Sequence, residues 1–185
     1  MEIYLCPPIP RRDFDLGRHI MGISELDENI LTNDVTTSST RGQSLYERLG
    51  GRPTLETVHK IFYDKLNQHP WLSGFFAGVN QTHIENQQSD FIGQLTGGPK
   101  IYSGRMPNHA HAHIYITDEL FTVRSELLRQ SLIEAGVPEK EREEWLKVDM
   151  AFKRVMVKES PHHCVKRYID EEIVIIDNPK NSNAA

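Results

Sequence analysis

THIENQQSDFIGQLTGGP, residues 82–99, carries both the period and the oddity that decide how this chain folds. Ile84, Gln88, Phe91 and Leu95 recur at steps of four, three and four, the spacing of one face of an α-helix. Thr82 followed by Glu85 has capping-box spacing, and Gly97-Gly98-Pro99 is a stop, so a helix is expected from Thr82 to the double glycine. Gln88 interrupts the apolar face. A buried amide without partners costs about 1–3 kcal/mol, so either backbone or water satisfies it inside a core, or it faces a ligand. Its neighbour Gln87 can turn to the same place or to solvent.

Helical punctuation continues on both sides. Upstream, Ser44 and Glu47 form a second capping-box pattern, Gly50-Gly51 ends that short helix, and Pro53 suits the first turn of the next. Leu55, Val58, Phe62 and Leu66 then line one helical face until Pro70 breaks it. Tyr63 stands one step off that stripe, where a tyrosine can bury its ring and aim its hydroxyl at a polar centre. Phe75-Phe76 follows the break, either as plain core or as an aromatic wedge beside a cofactor. Downstream, Thr117 with Asp118 and Glu119 opens a helix over 117–135 that Gly136 closes, with Phe121, Leu128 and Leu132 as its stripe. A last long helix is expected over about 139–157, carrying Trp145, Val148, Phe152, Val155 and Met156 on one side. Only 109–116 has some strand character. The fold class is all-α.

His109, His111 and His113 alternate with alanines. On a strand, period two would put three imidazoles on one face, a zinc or copper site. In a loop or short helix, one imidazole could ligate haem iron while its other nitrogen bonds a carbonyl. A solvated histidine cluster is the third possibility, and the residues alone leave all three open.

Composition narrows the field. The chain has 185 residues with 38% hydrophobic and 25% charged, the profile of one soluble globular core with extensions. A net charge of −5 argues against a nucleic-acid partner, since phosphate neutralisation needs a basic face. No run approaches the length of about 20 apolar residues needed to span a bilayer. The start, MEIYLCPPIPRRDFD, makes a poor signal peptide, and two cysteines, Cys6 and Cys164, give no disulfide framework, so the expected setting is cytoplasmic. Three zones follow: an N-terminal extension and linker at 1–43, a helical domain at 44–160, and a C-terminal extension at 161–185 that fades into a disordered NPKNSNAA. The apolar runs Met1–Cys6 and Glu172–Asp177 both look strand-like and could pair with each other.

Taken in order, SLYERLGG, FYDKL, LSGFFAG, QQSDF, LTGGPKIYSGR, the Ala110-His111 pair, ELF and LIEAGVP resemble the group I truncated haemoglobins, the short two-over-two globins. The resemblance covers 44–160 and needs little gapping. It implies a haem b, one iron held by His111, and diatomic ligands such as O2, NO and CO. His111 matches the proximal histidine and Tyr63 the distal tyrosine that donates to bound oxygen. Phe76 matches the phenylalanine against the porphyrin. Ile84, Gln87 and Gln88 match the distal positions that face the ligand, and Phe91 an aromatic on the same helix. Phe121 joins the set expected to touch the cofactor, and Arg105 lies where a haem propionate could be met. Oxygen handling or nitric oxide dioxygenation, the latter with a separate reductase, would be the use.

Four departures stand out against that family. The position of Ile84 is often polar there, which shifts the hydrogen bonding onto Tyr63 and Gln88. Some members have a histidine where this chain has Gln87, so the same bis-histidine state cannot form. Phe152 stands where some relatives carry a histidine that bonds covalently to haem. Arg124 replaces a usual apolar pocket residue; either Val123 turns inward in its place, or Arg124 reaches toward a propionate or solvent. Two rival functions remain at this stage: a non-haem metal site on His109, His111 and His113, and a haem-free globin-shaped interaction domain.

Overall fold

Residues 42–181 are described in the computed structural model of the chain. The Met1–Cys6 run and its expected pairing, nearly all of the 1–43 extension, and the last four residues lie outside that range. Seven α-helices occupy the described part: α1 Leu45–Arg48, α2 Arg52–Gln68, α3 Gln81–Leu95, α4 Pro107–Ala110, α5 Asp118–Glu134, α6 Glu139–Ala151 and α7 Lys153–Met156. A 3₁₀ helix, Leu72–Phe76, sits between α2 and α3, and a second, Pro161–His163, follows α7.

Each helix begins and ends for a chemical reason. Ser44 closes the expected capping box with Glu47, satisfying backbone donors at both residues. Pro53 lies in the first turn of α2, where its missing N–H costs nothing, and α2 stops at His69, just before Pro70. Thr117 caps α5 by accepting from the amide of Leu120. The start of α3 differs from expectation. Asn80, not Thr82, is the cap, its side chain accepting from His83, so the helix starts at Gln81. The last helix is also not continuous. It breaks at Phe152 into α6 and α7, and Val155, expected on the inner side, is exposed while Leu146 and Asp149 are buried.

α2 is the hub. Leu55, Val58, Phe62 and Leu66 are buried against α3 on one side and α5 on the other, and α6 packs on α5 through Trp145 and Leu146. The end of α3 is fastened to α1 by a close approach. Tyr46 donates its amide to Thr96 over 2.9 Å. Gly97 sits at φ +94°, where a Cβ would meet Ser44 Cβ at 2.7 Å, so neither the backbone angle nor the space admits a side chain.

The segment 109–116 is not a regular strand. Ile116 forms an isolated parallel bridge with Val157, and Ile114 forms another with Val174. The second bridge brings the C-terminal segment onto the body. Trp71 Nε1 donates to Ile176 O over 2.8 Å, and Gly74 lies so close to Ile176 that a Cβ there would stand 2.7 Å from Ile176 Cδ1. The first part of NPKNSNAA, expected to be disordered, is instead tied down: Asn178 is buried and its amide donates to Glu119 over 2.8 Å. A polar composition alone missed this, because a single specific hydrogen bond and one buried asparagine leave no periodic signal.

Candidate functional site

α2, the Leu72–Phe76 helix, α3 and the loop after α4 supply the side chains singled out by the sequence. Tyr63 is buried rather than at an edge, with Phe62 at 5.4 Å and Phe76 at 5.7 Å between ring centroids, both edge-on. Its hydroxyl makes no hydrogen bond among the described residues. Burial pushes the phenol well above its ordinary range, so it stays a protonated donor.

On α3 the two edges differ. Ser89, Ile92 and Gly93 are buried toward α2. Ile84, Gln88 and Leu95, the stripe read from the sequence, are only half-buried, and Phe91 is the buried member of that row. Phe91 meets Tyr102 at 4.9 Å and Phe152 at 5.5 Å. Neither Gln87 nor Gln88 has a side-chain hydrogen bond among the described residues, and neither side chain is fully enclosed, so no desolvation penalty is incurred. An apolar row interrupted by amides and left half-buried is a partly exposed face rather than a sealed core.

The loop after α4 holds the imidazoles, and it disperses them. His109 is exposed, whereas His113 faces Arg167 and Glu171 at 3.2 and 3.8 Å. No group of three or more metal-ligating side chains comes together among the described residues. His111 is set apart. Pro107 O lies 2.9 Å from its Nδ1, one helical turn back, which fixes the proton there. Burial lowers its pKa to about 4, the Pro107 contact opposing that shift, so the ring is neutral near pH 7. Nε2 has no protein partner among the described residues and keeps its lone pair. That is the tautomer a metal ligand needs.

The remaining expectations resolve individually. Arg105 lays its guanidinium over the Tyr168 ring at 5.0 Å and donates to the Tyr168 hydroxyl. Val123 packs partly buried against the core, as one of the two expectations for Arg124 has it. Arg124 pairs with Asp149 of α6 and lies over Phe62 at 5.0 Å and Phe121 at 6.0 Å. Phe121 is buried beneath Arg124 and Lys153 on the α5–α6 side.

Sequence reasoning missed four residues here. His59, fully buried, places Nδ1 2.8 Å from Ser89 Oγ, which in turn donates to Glu85 O over 2.8 Å. His59 stands four residues after Leu55, on the inner stripe of α2, and that spacing could have found it. Asp149 is buried as the partner of Arg124, and its place one turn after Trp145 was a similar signal. Lys158 donates to the carbonyls of His111, Ile114 and Met156, for which the sequence held no sign.

Comparison with known proteins bears on the family and the fold. The family model described as bacterial-like globin matches residues 44–158. The group 1 truncated hemoglobin GlbN of Mycolicibacterium paratuberculosis is 36% identical over 95 residues, 51% of this chain and 70% of its own. The group 1 truncated hemoglobin of Tetrahymena pyriformis is 33% identical over 51% of this chain and 78% of its own. Its crystal structure superposes with a TM-score of 0.59 at 30% identity, covering 63% of this chain and all (100%) of that one. A variant of the group II truncated hemoglobin from Bacillus anthracis gives a TM-score of 0.61 at 25% identity, over 65% and 94% of the two chains. The family implies a haem cofactor and diatomic gas ligands. The chain belongs to the bacterial-like globin family, and its all-α fold is that of the two-over-two truncated globins.

Proposed function

We propose that this globin binds one haem b, that His111 would hold its iron, and that the bound haem would take up O2, NO or CO. The observation that carries the reading is the state of His111: a neutral ring, Nδ1 engaged by Pro107 O, Nε2 free. When bound, haem would supply an iron able to take a neutral imidazole and a diatomic gas.

The chain's own residues set the rest. Phe76, Ile84 and Phe91 offer apolar surface to a flat macrocycle, with Phe121 in the adjoining core. Tyr63, protonated and without another partner, donates its hydroxyl proton to a polar ligand. Gln88, with Gln87 beside it, adds amide N–H groups from α3. Donors held in a water-poor site favour a ligand oxygen that carries partial negative charge. Arg105 is the cation proposed for a haem propionate. Oxygen handling and nitric oxide dioxygenation both use this donor set, the second with electrons from a separate reductase, in a cytoplasmic setting.

Titration of haemin into the purified full-length chain tests the proposal. Saturation at one haemin per chain, with a sharp shifted Soret band when CO is added after dithionite, is the expected result. Binding that never saturates contradicts it.

A further inference from the structure

Beyond Val157 the chain leaves the helical body and wraps the loop that carries His111. Contacts from this segment meet that loop residue after residue. Arg167 Nη1 donates to Ala110 O over 2.9 Å. Val165 N donates to Ala112 O over 2.9 Å, and Val174 N donates to His113 O over 2.9 Å. Tyr115 N donates back to Val174 O over 2.9 Å. At the start of the same segment, Lys158 Nζ donates to His111 O at 3.0 Å and Ile114 O at 2.7 Å. Arg167 is itself held by Glu171, whose carboxylate also accepts from the Arg167 amide over 2.6 Å.

The loop has little else to fix it. α4 is a single turn, and 111–116 contributes only isolated bridges. A short loop without its own ladder takes its position from whatever satisfies its carbonyls. Here the side-chain donors are two cations, whose hydrogen bonds are the stronger kind.

We propose that Lys158 and Arg167 are positioning residues for His111, acting through the carbonyls of the loop that bears it, with 165–174 as the clamp that holds the loop in place. This rests on the reading of His111 as the axial ligand. The clamp would fix the height and tilt of the imidazole through the loop carbonyls alone.

The test compares wild type with Lys158→Met, Arg167→Met and Arg167→Lys in the full-length chain. Arg167 lies at the surface, so its variants keep the fold even if Lys158→Met does not. Without haem, hydrogen exchange at the Tyr115, Val165 and Val174 amides is expected to rise roughly tenfold in Arg167→Met, and to return toward wild type in Arg167→Lys, which keeps one donor. With haem in the ferrous state, the iron–histidine stretching band in the resonance Raman spectrum is expected to shift or broaden in Arg167→Met. Unchanged exchange, or faster exchange with an unmoved band, overturns the proposal. His111→Ala is the control: if the wild-type band survives that change, the axial-ligand reading itself has failed and the positioning role falls with it.

Discussion

His59 and Ser89 join α2 to α3, the helices that carry Tyr63 and Gln88. Nδ1 of His59 on α2 lies 2.8 Å from Oγ of Ser89 on α3, inside the core. Tyr63 stands one turn after His59, and Gln88 is the residue before Ser89. The contact therefore holds the part of α2 that bears Tyr63 against the part of α3 that bears Gln88. The Ser89 hydroxyl proton goes to Glu85 O, so His59 donates from Nδ1.

Ser89→Ala removes the acceptor and leaves a buried N–H unpaired. The expected loss is about 1–3 kcal/mol of stability, read from the urea midpoint. No change in midpoint would mean that water or a rotated ring replaces the hydroxyl.

His59 also makes stability depend on pH. Burial lowers its pKa to about 3, with the charges of Arg124 and Arg52 adding to that shift. A histidine held neutral in the fold binds fewer protons than its unfolded counterpart between roughly pH 3 and 6.5, so its contribution is full above about pH 6.5 and lost as pH falls through that window. The slope is about 1.4 kcal/mol per pH unit at most for one such group. His111 shifts in the same direction in the haem-free chain, so both contribute there. His59→Leu is expected to flatten the acid limb by one group's share in urea titrations from pH 7 to 4. An unaltered limb would show that His59 is not held neutral.

Arg124 and Asp149 join α5 to α6 as a largely buried pair over Phe62. Asp149→Leu alone strands the guanidinium; because Arg124 retains some exposure, the expected cost is below the 3–5 kcal/mol of a fully buried pair, about 2 kcal/mol. Arg124→Met with Asp149→Leu is expected to recover most of it. A double variant as unstable as the sum of the two singles would show that the pair is not coupled.

Much of this was legible in advance, and the failures have physical causes. Strong helical periods and caps gave α2 and α5 nearly to the residue. The start of α3 went astray because Asn80 and Thr82 are both competent caps two residues apart, and the geometry chose Asn80. The Phe152 break was invisible because no proline or glycine marks it. Gln88 stands out by interrupting an apolar stripe, whereas the roles of Ile84, Gln87, Phe76 and Phe91 rest on the family resemblance and leave no local signal of their own. Arg124 was flagged but its partner was not, since Asp149 is a charge within an otherwise apolar turn. The 109–116 segment was ambiguous because its order comes from Lys158 and from 165–174, contacts distant in sequence that local patterning does not encode.

Tyr63→Phe keeps the ring and its contacts with Phe62 and Phe76 while deleting the donor. A net hydrogen bond of about 1.4 kcal/mol corresponds to a roughly tenfold faster O2 dissociation, measured by stopped flow against CO. CO dissociation is expected to move less, because bound CO carries less negative charge. An unchanged O2 rate would remove Tyr63 as the donor.

His111, with Nδ1 engaged by Pro107 O and Nε2 free, is the residue proposed to hold the haem iron. The most direct measurement is the absorption spectrum of the ferrous haem-loaded His111→Gly chain, recorded with and without added imidazole. The spectrum is expected to depart from wild type and to return to it as imidazole fills the vacated place. A His111→Gly spectrum identical to wild type without imidazole would contradict that role.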